Sequence, residues 1–224
     1  MEIIVNIIIT GSSKGIGAAI GKEWCKAGVR NKDNYGYYGI SKWNDLDITN
    51  YAKIENYMVE LFSNLKKHKK ILPIALINNA GIVKVGSIFE IDIDNWKSQF
   101  DVNVHGLFNC SKIYSKLCLK YKIPGKIINI SSTAGLGARP GRAAYAATKS
   151  AVINFSLSMA EELKPYNIKV YCLCPGACDT DMRHYINPDD NFVNMLKRED
   201  VGKFVVKLIL DGEYMDNQIL IIKK

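Results

Sequence analysis

Six short runs rich in β-branched residues recur along the chain, all but the last followed by a longer stretch with helical spacing, and this alternation constrains the fold more than any other feature. The runs at 3–9, 37–42, 72–78, 126–132, 168–174 and 218–222 predict strands; the stretches at 15–27, 51–65, 94–121, 143–163 and 198–210 predict helices. Strands that are apolar at successive positions are buried on both faces, which requires helices above and below a parallel sheet. The expectation is an α/β fold, a doubly wound parallel sheet of six or seven strands with helices on both faces, built as one domain over residues 1–224. One connection departs from the pattern: within three residues of Lys42 the chain reaches Asp45-Leu46-Asp47-Ile48-Thr49 and then a helix. A parallel neighbour needs a crossover of roughly a dozen residues. One helix and the strand behind it are therefore expected to be missing after the second strand.

Composition removes several classes of function. With 48% hydrophobic and 23% charged residues, the chain can build a core and is not a disordered one. No apolar run approaches the roughly 18 residues of a membrane span, so no membrane partner is expected. The opening residues carry no basic leader or cleavage site, which predicts a cytoplasmic protein. Cys25, Cys110, Cys118, Cys172, Cys174 and Cys178 include no Cys-x-x-Cys pair and read as reduced thiols. His68, His105 and His184 never fall at ligand spacing, and no metal is expected. The +8 charge comes from 25 Lys against 5 Arg spread along the chain. Its one dense run, Lys66-Lys67-His68-Lys69-Lys70, follows a helix pattern, where cations complement the macrodipole. No nucleic-acid partner is expected.

Directly after the first strand stands Thr10-Gly11-Ser12-Ser13-Lys14-Gly15-Ile16-Gly17, opening a helix. Glycines there permit a tight turn, close approach of backbone to a pyrophosphate and close helix–strand packing, while the helix N-terminus favours the anion. Further motifs follow in chain order: Asn78-Asn79-Ala80-Gly81, Asn103 within Asp101-Val102-Asn103-Val104-His105-Gly106, Ser131-Ser132-Thr133-Ala134-Gly135, Tyr145-Ala146-Ala147-Thr148-Lys149, and Pro175-Gly176-Ala177-Cys178-Asp179-Thr180. With the Gly-x3-Gly-x-Gly turn, this set resembles the classical short-chain dehydrogenase/reductase family over residues 1–222. The resemblance implies a Rossmann-like fold and an oxidoreductase acting on a CH–OH group, interconverting a carbonyl and a secondary alcohol by hydride transfer.

A Tyr-x3-Lys match has little weight alone, because 12 Tyr and 25 Lys in 224 residues give about one by chance. Tyr38 and Lys42 form such a match. On a strand they would stand roughly 13 Å apart and could not cooperate. Tyr145 and Lys149 fall instead in a helical pattern, where i and i+4 share a face. A nearby ammonium favours phenolate and lowers a phenol from near 10 toward the working range. Tyr145 would then exchange a proton with the substrate oxygen, and Ser132, 13 residues upstream at the family's usual interval, would hold that oxygen by hydrogen bond. By resemblance, Lys149 also holds the nicotinamide ribose, and Asn103 anchors a water linking Lys149 to solvent.

By the same resemblance, Gly11, Ser13, Lys14, Gly15, Ile16 and Gly17 form the cofactor turn, with Ser41 and Lys42 beside the adenosine ribose and Asp47 and Ile48 beside the adenine. Asn79, Ala80 and Gly81 line the adenosine side, and Pro175, Gly176, Cys178 and Thr180 the nicotinamide side, together with Tyr145 and Lys149. NAD-preferring members carry an acid at the end of the second strand. Here Gly39-Ile40-Ser41-Lys42 has none, while Lys14 and Lys42 could meet a 2′-phosphate, so NADP(H) is expected over NAD(H). The segment 181–197 would form a short lid over a small-molecule substrate. Arg139, Arg142, Arg183 and His184 could bind an anionic or sugar-like one, or be ordinary surface charges. The resemblance also implies a homodimer or homotetramer through the helices at 94–121 and 143–163. The alternatives are a non-catalytic dinucleotide-binding regulator and a sugar-nucleotide-modifying enzyme; the latter would need a Gly-x-x-Gly-x-x-Gly turn, which is absent.

Overall fold

The computed structural model describes residues 5–28, 35–68, 72–212 and 219–224. Residues 3, 4 and 218 of the predicted strands, and Lys69 and Lys70 of the basic run, lie outside these. The main sheet takes β1 (Val5–Thr10), β2 (Tyr35–Ile40), β3 (Pro73–Asn78), β4 (Gly125–Ile130), β5 (Ile168–Pro175) and β8 (Ile219–Ile222). Their spatial order is β2-β1-β3-β4-β5-β8, and every pairing is parallel. A separate short pair joins β6 (Cys178–Asp179) to β7 (Leu196–Lys197). The helices are α1 (Gly15–Gly28), α2 (Tyr51–Lys67), α3 (Ile93–Phe100), α4 (Leu107–Tyr121), α5 (Ala143–Leu163), α6 (Asp181–Ile186) and α7 (Arg198–Asp211).

Side chains alternate across each strand, and the apolar runs therefore feed two cores. Ile8, Leu76, Ile127 and Val170 pack with Met58 and Phe62 of α2 and Tyr114 and Leu117 of α4. Ile7, Ile9, Ile77, Ile128 and Leu173 pack on the opposite side with Ile20 and Trp24 of α1 and Val201 and Val205 of α7. Register aligns the first set: Ile8 lies opposite Leu76, Leu76 opposite Ile127, and Ile127 opposite Val170. Both sets are apolar and buried, so a slip of one residue, which exchanges them, costs packing complementarity between the sheet and its helices rather than exposure to water.

β2 is the sheet edge. From Ile40 the chain passes through a 3₁₀ turn at Lys42–Asn44 and reaches α2, whose cap Asn50 accepts a hydrogen bond from Lys53 N at 3.0 Å. No helix or strand intervenes along this described stretch, as the short connection predicts. One expectation is corrected: the helix at 94–121 is interrupted. Between α3 and α4, Asp101–Gly106 winds as a π-helix, a geometry that appears mostly as a local bulge at functional sites. Apolar spacing does not reveal it; the segment carries Asn103, whose hydrogen bonds reach Ile82 and Thr148.

Candidate active site

The glycine-rich turn closes on the loop after β3 because two of its residues lack side chains. Gly11 has φ +65°, and a Cβ there would stand 2.8 Å from Ala80 Cα; at Gly17 a Cβ would meet the Gly11 carbonyl oxygen at 2.3 Å. Thr10 locks the approach. Its Oγ1 accepts the N–H groups of Asn79 and Ala80, both at 3.0 Å, and Asn79 Nδ2 donates to the carbonyls of Thr10 at 3.1 Å and Gly11 at 3.0 Å. The N-terminus of α1, with no acidic residue in its first turn, then borders a cleft of about 710 Å³. Gly15, at φ +57°, faces Thr180, whose Cγ2 would be 3.9 Å from a Cβ at that position. An open gap beside first-turn N–H donors suits a dinucleotide diphosphate.

At the other side of that turn the short connection after β2 is held firmly. Asn109 Nδ2 donates to the Ile48 carbonyl at 3.0 Å, and Gly106 packs so closely that a Cβ there would stand 2.5 Å from Ile48 Cδ1. Asp47 accepts from Thr49 N at 3.0 Å and Thr49 Oγ1 at 2.9 Å, and pairs with Lys42 Nζ at 2.9 Å. Burial works to raise its carboxyl; the hydrogen bonds from Thr49 and Lys42 and the Lys42 charge outweigh that and hold it below the usual range. Lys42 is therefore an ion-paired residue rather than a free cation, a difference that spacing alone does not disclose.

Tyr145 and Lys149 lie one turn apart on α5, with Lys149 Nζ 5.7 Å from the Tyr145 ring centroid. Both are buried, at 8% and 5% exposure. Lys149 Nζ donates to the Ile130 carbonyl at 2.9 Å, and Ser131 Oγ donates to the Lys149 carbonyl at 2.8 Å. Ser132 opens a 3₁₀ turn, Thr133–Leu136, and its Oγ accepts Ala134 N at 3.1 Å. Burial pushes the Tyr145 phenol up to about 12, with the Ser132 hydroxyl and the Arg142 charge working against it. Burial also pulls Lys149 down to about 8, offset by the nearby thiols of Cys172 and Cys174. Ser132 and Arg142 favour the ionised form, and burial outweighs both, which leaves the phenol raised.

Asn103 lies behind the cleft wall. Its Oδ1 accepts Ile82 N at 2.8 Å, and its Nδ2 donates to the Ile82 carbonyl at 2.9 Å and to Thr148 Oγ1 at 3.0 Å. Thr148 donates in turn to the Tyr145 carbonyl at 2.7 Å. Thr10, Thr148 and Ser131 are thus positioning residues missed by the motif reading; each acts on a partner distant in the chain. Every expected cofactor residue lines the cleft except Gly17, which is consumed in closing the turn. Arg139, Arg142 and Arg183 line it too. His184 does not: its Nε2 hydrogen-bonds Asp179 at 2.9 Å and its ring stacks on Phe192 at 3.7 Å. Among the described residues no helix is long and apolar enough to cross a membrane, and no His, Cys, Asp and Glu cluster could hold a metal.

A dinucleotide turn at one end of a cleft and a Ser, Tyr and Lys group at the other define a nicotinamide-dependent oxidoreductase with a Rossmann-like sheet. Comparison with known proteins agrees. The family model described as short chain dehydrogenase matches residues 42–191. The chain is 32% identical over 196 residues to a 3-oxoacyl-(acyl-carrier-protein) reductase of Synechocystis, a match that covers 81% of this chain and 77% of that one. It is 28% identical to the 3-oxoacyl-(acyl-carrier-protein) reductase FabG of Chlamydia trachomatis, with 95% and 93% covered. Among solved structures, 4-hydroxyisoleucine dehydrogenase complexed with NADH matches with a TM-score of 0.80 at 28% identity, covering 97% of this chain and 96% of that one. The chain belongs to the short-chain dehydrogenase family, whose oxidoreductases interconvert a carbonyl and an alcohol with NAD(P).

Proposed function

We propose that residues 1–224 form one catalytic domain that reduces a small carbonyl compound with NADP(H) in preference to NAD(H). The observation that carries this reading is the convergence of Ser132, Tyr145 and Lys149 in the cleft that also receives the glycine-rich turn. Bound there, a nicotinamide supplies the hydride for the carbonyl carbon, or takes it from an alcohol in reverse. Tyr145 gives its phenolic proton to the substrate oxygen as the carbonyl becomes an alcohol. Ser132 Oγ hydrogen-bonds that oxygen as charge develops on it. Lys149, beside the ring and held by the Ile130 carbonyl, stabilises the phenolate left behind and holds the nicotinamide ribose. Asn103, with its side chain occupied by Ile82 and Thr148, anchors the water that connects Lys149 to solvent.

The cofactor preference rests on charge. The end of β2 and the two residues after it carry no acidic side chain to hold ribose hydroxyls; Ser41 and Lys42 line the cleft there, and Asp47, which also lines it, is paired with Lys42. Because Lys42 shares its charge with Asp47, Lys14 is the cation that meets a 2′-phosphate. A fluorescence titration tests this: NADPH should bind at least about tenfold tighter than NADH, about 1.4 kcal/mol. Lys14→Ala should remove more of that margin than Lys42→Ala. Equal or better NADH binding would show the reading wrong. Partly exposed Phe108 on α4 and Leu157 on α5 support a homodimer or homotetramer through these helices. Sedimentation showing only a 25.1 kDa species at micromolar concentration would overturn that assembly. The free cysteines support a reducing compartment, the cytoplasm.

A further inference from the structure

Three of the chain's five arginines, Arg139, Arg142 and Arg183, line one cleft. Arg139 and Arg142 come from the loop between Ser132 and α5, and Arg183 comes from α6. Their commitments differ. Arg139 is spent on its own loop, donating from Nη1 to the Ala138 carbonyl at 2.8 Å and from Nη2 to the Thr133 carbonyl at 2.9 Å. Arg183 pairs with Asp190, and its buried Nε has no acceptor. Arg142 is half-buried, and among the described residues its guanidinium has neither an ion pair nor a hydrogen bond.

Burial and the charges of Arg183 and Arg139 draw Arg142 below its ordinary value, while Tyr145 and Asp190 act in the other direction. Asp181 also borders the cleft. Two carboxylates against three guanidiniums leave this region positive. A partly buried cation without a partner is unfavourable unless an anion shares its site. The diphosphate has its own cradle at α1, whereas Arg142 acts on Tyr145, whose phenol its charge lowers. Ala134, Tyr145, Met182 and Ile186, members of one small apolar cluster, line the same cleft as Arg142. One free planar fork in a cleft with an apolar wall suits a carboxylate on a short carbon chain.

We infer that the substrate is an oxo acid whose carboxylate is held by Arg142, flanked by Arg139 and Arg183, with its carbons against Ala134, Met182 and Ile186 and its carbonyl at Ser132 and Tyr145. This rests on the catalytic roles proposed above. The test measures reduction of matched pairs with NADPH and NADH: short 2-, 3- and 4-oxo acids, each against its methyl ester, with dihydroxyacetone phosphate against dihydroxyacetone as a phosphate arm. Wild type should favour at least one acid over its ester by about tenfold in kcat/KM, mainly through KM. Arg142→Gln should reduce that ratio below about threefold, and Arg142→Lys should restore part of it. An ester as good as its acid, or an undiminished ratio in Arg142→Gln, overturns the proposal. So does a phosphate preference larger than that for any acid. Melting temperature with glutarate separates the anion site from the chemistry. A rise in wild type that is absent in Arg142→Gln supports the site even where no carbonyl is reduced, and that outcome fails the catalytic reading instead. No rise in wild type overturns the site.

Discussion

Replacing Lys149 by methionine should produce a protein that is more stable and inactive. Lys149 is 5% exposed, and burial draws its ammonium from the ordinary 10.5 to about 8. At 1.36 kcal/mol per pH unit, that interval corresponds to a cost of about 3 kcal/mol for keeping the charge inside the fold at pH 7. Against it stands the hydrogen bond to the Ile130 carbonyl at 2.9 Å, whose loss costs about 1–1.5 kcal/mol. Methionine keeps the unbranched apolar stem. The variant should therefore gain about 2 kcal/mol at pH 7. Below pH 8 the lysine is charged in both folded and unfolded chains, and the whole cost is present. From about 8 to 10.5 the folded chain has released its proton while the unfolded chain keeps it, so the cost falls and wild-type stability rises with pH. The variant's advantage should shrink to about zero near pH 9.5. Urea unfolding followed by tryptophan fluorescence, at equal protein concentration and at pH 7 and 9.5, measures this. A variant less stable than wild type at pH 7, or one whose advantage is the same at both pH values, would refute the reasoning.

Gly17→Ala places a Cβ 2.3 Å from the Gly11 carbonyl oxygen, a backbone atom that cannot yield without opening the turn. It should cost about 1–3 kcal/mol in stability and weaken NADPH binding by at least about tenfold in the same titration. Thr10→Val leaves the N–H groups of Asn79 and Ala80 without their acceptor and should cost about 2–4 kcal/mol. A loss under about 0.5 kcal/mol in urea unfolding would mean that Thr10 does not hold the turn. Tyr145→Phe should lower kcat by about 10²–10⁴-fold with cofactor affinity little changed. Near-normal turnover would remove Tyr145 as the proton donor.

Much of the sheet was legible because its signals are local. The run at 168–174 carries Val170, Tyr171 and Leu173 in an order that serves both faces, and the structure divides them between two cores as alternation requires. Tyr145 and Lys149 were legible for the same reason, since helical spacing puts i and i+4 on one face. The π-helix at Asp101–Gly106 was not. It exists where Asn103 reaches Ile82, 21 residues away, and Thr148, 45 residues away. Thr10 likewise acts on Asn79 across 69 residues.

From the amino-acid order alone come the alternation of strands and helices, the truncated edge after β2, the glycine-rich turn and the residue types of the Ser, Tyr and Lys group. These depend on periodicity and on glycine or charge at short spacing, which are properties of neighbouring residues. Only the tertiary structure decided that Lys42 pairs with Asp47, that burial raises the Tyr145 phenol, and that three arginines from two separate segments share one cleft. Charge energies depend on distance and on exclusion of water, and both arise when remote segments pack together.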